Sequence, residues 1–235
     1  MNPQQIAKLR QTYNMSGDWT DEEIEWAHKY LKDTPYLLRP NGILVKNLLQ
    51  LKSIRTAQYP SEPKVLSLPY GFDSFWLFES EVLFLYGHYG PCCAWARATI
   101  EFYLQKRCLK EESVQYAKAR KDRKGENPGV SACLRMLDYH KGEEVDMLCL
   151  DIKDAAGYVL HHRLEELVSD QAVVDKFRDL IVEKGIGILL EQKDTLRYDF
   201  ERDKAIESLE KLYKLHELRV LLHDAHCLTS YTPSP

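Results

Sequence analysis

An all-α fold is predicted, a bundle of about five helices behind a partly irregular N-terminal segment. Three features of the sequence point to it. Apolar residues recur at three- and four-residue steps through the second half of the chain. Gly and Pro fall mostly between these stretches rather than inside them. No series of alternating apolar and polar residues marks out strands.

Taken in order, Thr20 followed by Glu23 reads as a capping box, so Asp21–Leu31 is a short helix with Ile24, Trp26, Tyr30 and Leu31 as its apolar residues. Pro35 and Pro40 end regular structure after it. Ile43–Leu51 is mainly apolar and reads equally as helix or strand. Pro60, Pro63 and Pro69 mark an irregular connector near residues 58–70. The division expected is residues 1–70 as an N-terminal helix and connector, 71–225 as the bundle, and 226–235 as a loose tail.

Within the bundle, Asp73–His88 is aromatic-rich and free of Gly and Pro until Gly87. Pro91 suits the first turn of the next helix, which runs to about Lys110. Cys93, Ala96, Ile100 and Tyr103 share one face of it, and Ala94, Ala96 and Ala98 allow a neighbouring helix to come close. Lys118–Gly129 reads as a polar loop broken by Gly125 and Pro128. Helices follow at about Val130–His140, at Glu144–Val168 with an interruption at Gly157, and from Asp170 to Lys184. A last one spans Asp203–Leu222, where Ile206, Leu209, Tyr213, His216 and Val220 recur at helical spacing.

The 235 residues are 44% hydrophobic and 29% charged, enough apolar surface to exclude disorder as the main state. The longest apolar run, Phe75–Tyr86, is broken by Glu79 and Glu81 and is too short to cross a bilayer. The start MNPQQIAKLRQ has no apolar signal region, so a cytoplasmic protein is expected, with no membrane partner. The six cysteines form no C-x-x-C pair and read as buried reduced thiols. The formal charge of −4 hides an asymmetry: Arg97–Lys124 holds nine basic residues against four acidic ones. Basic density peaks at Lys118, Arg120, Lys121, Arg123 and Lys124, a candidate nucleic-acid contact against the plainer reading of a solvated surface loop.

The motifs of phosphate-binding loops, dinucleotide sites, zinc proteases and serine hydrolases are all absent, and Gly-Ile-Gly at 185–187 is too little to cradle a phosphate. No cofactor is expected. Histidines carry the remaining chemistry. His161 can exchange a proton near neutral pH, with Lys153 or Arg163 holding a phosphate beside it, a set suited to phosphodiester cleavage. The competing reading is a packing histidine. His216, His223 and His226 with Asp224 and Cys227 have spacing compatible with a metal, but histidines near a helix C-terminus are favoured by the helix dipole alone. No metal site is assigned.

The stretches YGPCCAWARATIEFYLQKRC (Tyr89–Cys108), IKDAAGYVLHHR (Ile152–Arg163) and DKAIESLEKLYKLHEL (Asp203–Leu218) resemble, in order and spacing, the helices of HEPN domains. They look most like those of a bacterial branch of unassigned role. The resemblance spans roughly residues 75–220. It implies an α-helical bundle, a homodimer, and either a metal-independent ribonuclease of stress or phage-defence systems or a non-catalytic binding module. Active members carry an Arg separated from the motif His by four to six residues. With His161 as that His, the positions hold Asp154, Ala155 and Ala156, while Lys153 is one step too early and Gly157 stands where a polar residue is common. Arg135 with His140 and Arg219 with His226 match the spacing only formally. The expectation is a non-catalytic or weakly catalytic module binding RNA, a nucleotide or a partner protein. The alternatives are an RNA endonuclease using His161 and a structural dimer seamed by the aromatic helix Phe72–Tyr89.

Overall fold

The computed structural model of the chain describes residues 1–15, 19–32, 42–58, 73–161, 193–218 and 220–221. The described residues are helical, with no strand among them: α1 (Pro3–Thr12), α2 (Asp21–Lys32), α3 (Gly42–Gln58), α4 (Asp73–Leu85), α5 (Tyr89–Glu111), α6 (Ser113–Asp122), α7 (Val130–Met136), α8 (Glu144–His161) and α9 (Lys193–Glu217). The all-α expectation therefore holds, with more helices than the five anticipated. The connector near 58–70, the Asp170–Lys184 helix and the 226–235 tail lie outside the described residues.

Local chemistry explains most of the boundaries. At α2, Glu23 N–H donates to Thr20 Oγ1 at 3.2 Å and Thr20 N–H donates to Glu23 Oε2 at 2.9 Å, the reciprocal box anticipated. Helix α1 was not anticipated, yet it starts the same way. Gln5 N–H donates to Asn2 Oδ1, Asn2 N–H donates to Gln5 Oε1, and Pro3 occupies the first turn.

Helices α1, α4, α6 and α7 end alike. A residue with positive φ follows each: Asn14, Gly87, Lys124 and Asp138. Around it run the two hydrogen bonds of a Schellman motif, which satisfy carbonyls the helix leaves open. This ending accounts for two corrections. Helix α7 stops at Met136 rather than His140, because Asp138 at φ 58° turns the chain away. The polar stretch read as a loop from Lys118 is helical through Asp122. Two further boundaries differ from expectation. Gly157 lies inside α8 without interrupting it, and α9 begins ten residues before Asp203.

Packing centres on α5, which lies against α4, α6, α7, α8 and α9. The anticipated face is buried throughout: Cys93, Ala96, Ile100 and Tyr103 are at most 4% exposed. Gly90 marks the tightest approach, since a Cβ there would sit 3.0 Å from Val159 on α8 and 3.2 Å from the Glu201 carboxylate on α9. Residues that α1–α3 bury, such as Leu44, Val45 and Leu48, join the same contiguous core as Ile100, Ile152 and Leu209. Phe84, Leu85 and Tyr89, from the segment considered as a dimer seam, are consumed by that core.

Two polar clusters are set inside the apolar packing. Asn47 on α3 donates from Nδ2 to the Phe84 carbonyl at 2.8 Å and accepts from the Tyr89 hydroxyl at 2.9 Å, so one buried amide caps α4 and anchors the start of α5. Deeper in, Glu81 on α4 accepts a hydrogen bond from Tyr213 on α9 and faces Arg55 on α3 at 3.7 Å. Burial pushes the Glu81 carboxyl above its ordinary value, opposed by Arg55 and by the Tyr213 hydrogen bond.

A raised carboxyl pKa means that the folded state holds its proton where the unfolded chain has released it. Glu81 therefore subtracts stability as pH climbs above the ordinary carboxylate range. Arg55→Met is expected to cost about 3–5 kcal/mol near neutral pH by stranding a buried carboxylate. Urea unfolding in mildly acidic buffer should show a clearly smaller loss, because a protonated Glu81 needs no cation. An equal loss at both acidities contradicts this account.

Candidate nucleic-acid interface

The basic segment divides into two parts with different fates. On α5 the cations are occupied by their own helix. Arg97 Nε donates to Glu101 at 2.9 Å. Arg107 makes a two-pronged contact with Glu111, at 3.0 Å on each prong, and a third bond to the Tyr139 hydroxyl at 2.9 Å. Lys106 lies over the Phe102 ring, 5.0 Å from its centroid.

On α6 the cations are not occupied. This helix buries one side chain, Tyr116, against α5 and turns the rest outward. Lys118, Lys121, Arg123 and Lys124 are exposed, and none has a carboxylate partner among the described residues. Their neighbours in sequence, Asp122 and Glu126, stand apart from the three carboxylates of α5 and its end, Glu101, Glu111 and Glu112. Arg120 sits one turn after Tyr116. Its Nε donates to the Gly125 carbonyl at 2.9 Å.

That contact sits on the Schellman ending of α6. Gly125 N–H reaches the Arg120 carbonyl at 2.8 Å, and Lys124 N–H reaches Lys121 at 3.1 Å. Gly125 has φ 98°, which a side chain would strain, and Lys124 accepts a left-handed backbone at φ 56°. The connector beyond is pinned to α5, where Gln105 donates to the Pro128 carbonyl at 3.0 Å. The cations are thus carried on fixed backbone rather than on a free loop.

Between α5 and α6 opens a pocket of about 380 Å³, lined by Leu109, Tyr116, Ala117, Arg120, Lys121 and Gly125. Leu109, Ala117 and Tyr116 supply apolar surface, and Arg120 and Lys121 supply positive charge. It is an open depression on the surface rather than an enclosed cavity. Sequence reasoning found the charges and missed the apolar lining. The available signal was Tyr116 with Arg120, four apart and hence on one helix face.

The histidine site is placed only in part. Lys153 is half-buried on α8, and His161 is the last residue of that helix. The His161 side chain, His162 and Arg163 lie outside the described residues. So do Gly185–Gly187, Arg219, His223, Asp224, His226 and Cys227. Arg135 and His140 are both exposed, but the turn at Asp138 takes His140 off the helix that carries Arg135. No group of three metal-ligating side chains occurs among the described residues, and no described helix is long and apolar enough to cross a membrane.

The contrast between the two helices is measurable. Arg107→Ala is expected to lower unfolding stability by about 1–2 kcal/mol, since it strands Tyr139 and Glu111. Lys118→Ala should stay within about 0.5 kcal/mol of the parent in the same denaturant titration. Comparison with protein families, with curated proteins and with solved structures gives no match to this chain.

Proposed function

We propose that this chain is a HEPN-like helical module that binds RNA or a nucleotide through its phosphates, using α6 and the turn at residues 123–125. One observation carries the reading: Lys118, Lys121, Arg123 and Lys124 stand exposed with no carboxylate partner among the described residues, beside a pocket that combines apolar lining with Arg120. Like charges held this close repel one another, and an anion spanning them relieves that repulsion.

The chain's overall charge of −4 does not cancel the patch. Screening limits exposed charges to about 8 Å at physiological ionic strength, so a polyanion at α6 responds to the local cations. Arginine and lysine beside an apolar notch suit a nucleotide better than a simple ion. The base covers Leu109 and Ala117 while the phosphates meet Arg120 and Lys121. The resemblance to HEPN domains and the absence of an Arg at 154–156 support binding rather than cleavage as the main activity. Homodimer formation and a place in bacterial stress or phage defence belong to the same proposal.

The test is fluorescence anisotropy of labelled single-stranded RNA in EDTA across a series of salt concentrations. Five phosphate contacts correspond to a slope of about −3.5 in log affinity against log salt. Replacing Lys118 and Lys121 together by Ala should flatten that slope by about 1.4. Absence of binding, or an unchanged slope in the double variant, refutes the α6 surface. Running the same samples on a gel settles catalysis: intact RNA is expected, whereas cleavage abolished by His161→Ala makes the chain an endonuclease.

A further inference from the structure

Two thiols meet beneath α6. Cys108 near the end of α5 and Cys133 in α7 are both fully buried. The Cys108 Sγ lies 3.5 Å from the Cys133 carbonyl oxygen, and the Cys133 Sγ lies 3.5 Å from the Pro128 carbonyl oxygen. Each thiol thus donates to a backbone carbonyl, and the Cys108 thiol meets the Cys133 residue directly. A sulfur in contact with the backbone of the second cysteine places the two residues side by side, the proximity that an S–S bond of about 2.05 Å requires.

Their environments are unequal, as a reactive pair requires. The neighbouring Cys133 draws the Cys108 thiol below its ordinary pKa, with help from Arg107 and against the effect of burial. Cys133 is pushed up by the neighbouring Cys108 and by burial. The other described cysteines behave differently. Burial alone is the main influence on Cys92, Cys93 and Cys149, and it pushes Cys93 and Cys149 up to about 12. Thiolate character is what makes a cysteine nucleophilic.

The cover over the pair is thin. Tyr116 is the only residue α6 buries, and it lies close enough to sense both sulfurs. Beyond its closing turn, this ten-residue helix has a single buried side chain and so few apolar contacts to lose on opening.

We propose that Cys108 and Cys133 form a reversible dithiol–disulfide site for peroxide-class oxidants, with α6 as its removable cover. The Cys108 thiolate attacks one peroxide oxygen. The O–O bond breaks, the departing oxygen leaves as water after taking up protons, and Cys108 becomes a sulfenic acid. The Cys133 sulfur then attacks the Cys108 sulfur, the S–O bond breaks, and a second water departs. Two thiols lose two electrons in all, and one peroxide is reduced to two waters. The new bond ties α5 to α7 and closes a loop that contains the whole basic patch.

The experiment uses the full chain carrying Cys227→Ser, exposed to graded hydrogen peroxide, alkylated in denaturant and mapped by peptide mass spectrometry. The expected product is a Cys108–Cys133 cross-linked peptide. It should appear before any change at Cys92, Cys93 or Cys149 and revert with dithiothreitol. Adding Cys133→Ser should halt Cys108 at the sulfenic acid, captured by dimedone; if that variant fails to fold, the map of the Cys227→Ser chain decides. Tyr116→Ala should speed cross-linking on the order of tenfold or more by weakening the cover. Thiols at 108 and 133 that stay reduced, or that oxidise separately without a cross-link, overturn the site. An unchanged rate in Tyr116→Ala overturns the role of α6.

Discussion

The burial of Glu81 is the constraint around which this bundle is arranged. A carboxylate in an apolar interior is tolerated only where a cation and a hydrogen-bond donor reach it. Here the two come from different parts of the chain, Arg55 from α3 and Tyr213 from α9. Meeting that demand fixes both helices against α4. The Arg55 guanidinium also lies 5.7 Å from the centroid of the Tyr213 ring, so the donor and the cation hold each other as well as the acid. Asn47, two turns before Arg55 on the same helix, adds a second fixed point at the α4–α5 corner. Hydrophobic area supplies the bulk of the driving force, but it is non-directional. The polar contacts are what select one rotation of α3 and α9 from the many that would bury similar area.

Much of the helical architecture was legible because burial imposes a period. The α5 face at Cys93, Ala96, Ile100 and Tyr103 was readable for that reason, as was the α9 series through Leu209 and Tyr213. Capping chemistry located the start of α2 from two residues. The parts that were not legible lacked one of these signals. Helix α6 has a single buried residue, so no period exists to detect. It is helical because Ala, Lys, Arg and Gln favour that backbone and because its end is closed by hydrogen bonds. The early start of α9 depends on Tyr198 packing edge-on to Tyr89 and Phe200 to Tyr158, contacts made across distant parts of the chain. Helix α8 runs through Gly157 because its neighbours Ala155, Ala156 and Val159 are buried and outweigh the modest penalty of one glycine.

The candidate interface shows the same division. Charge is a property of composition, and the positive segment was visible at once. Which cations remain unpaired is a property of helix geometry. Glu101 and Glu111 stand four residues after Arg97 and Arg107, and so neutralise α5 while leaving α6 alone. The thiol pair was invisible for a different reason. Cys108 and Cys133 are separated by 25 positions, and only the packing of α7 on α5 brings them together.

Helix α6 is fastened by Tyr116 and its closing turn, and little else on it touches the interior. Its outward positions are therefore nearly exempt from the selection that preserves the core. Substitutions there can accumulate, reverse sign or change size while the rest of the molecule is undisturbed. A segment of this kind gives a lineage room to retune what its surface attracts without rebuilding the scaffold beneath.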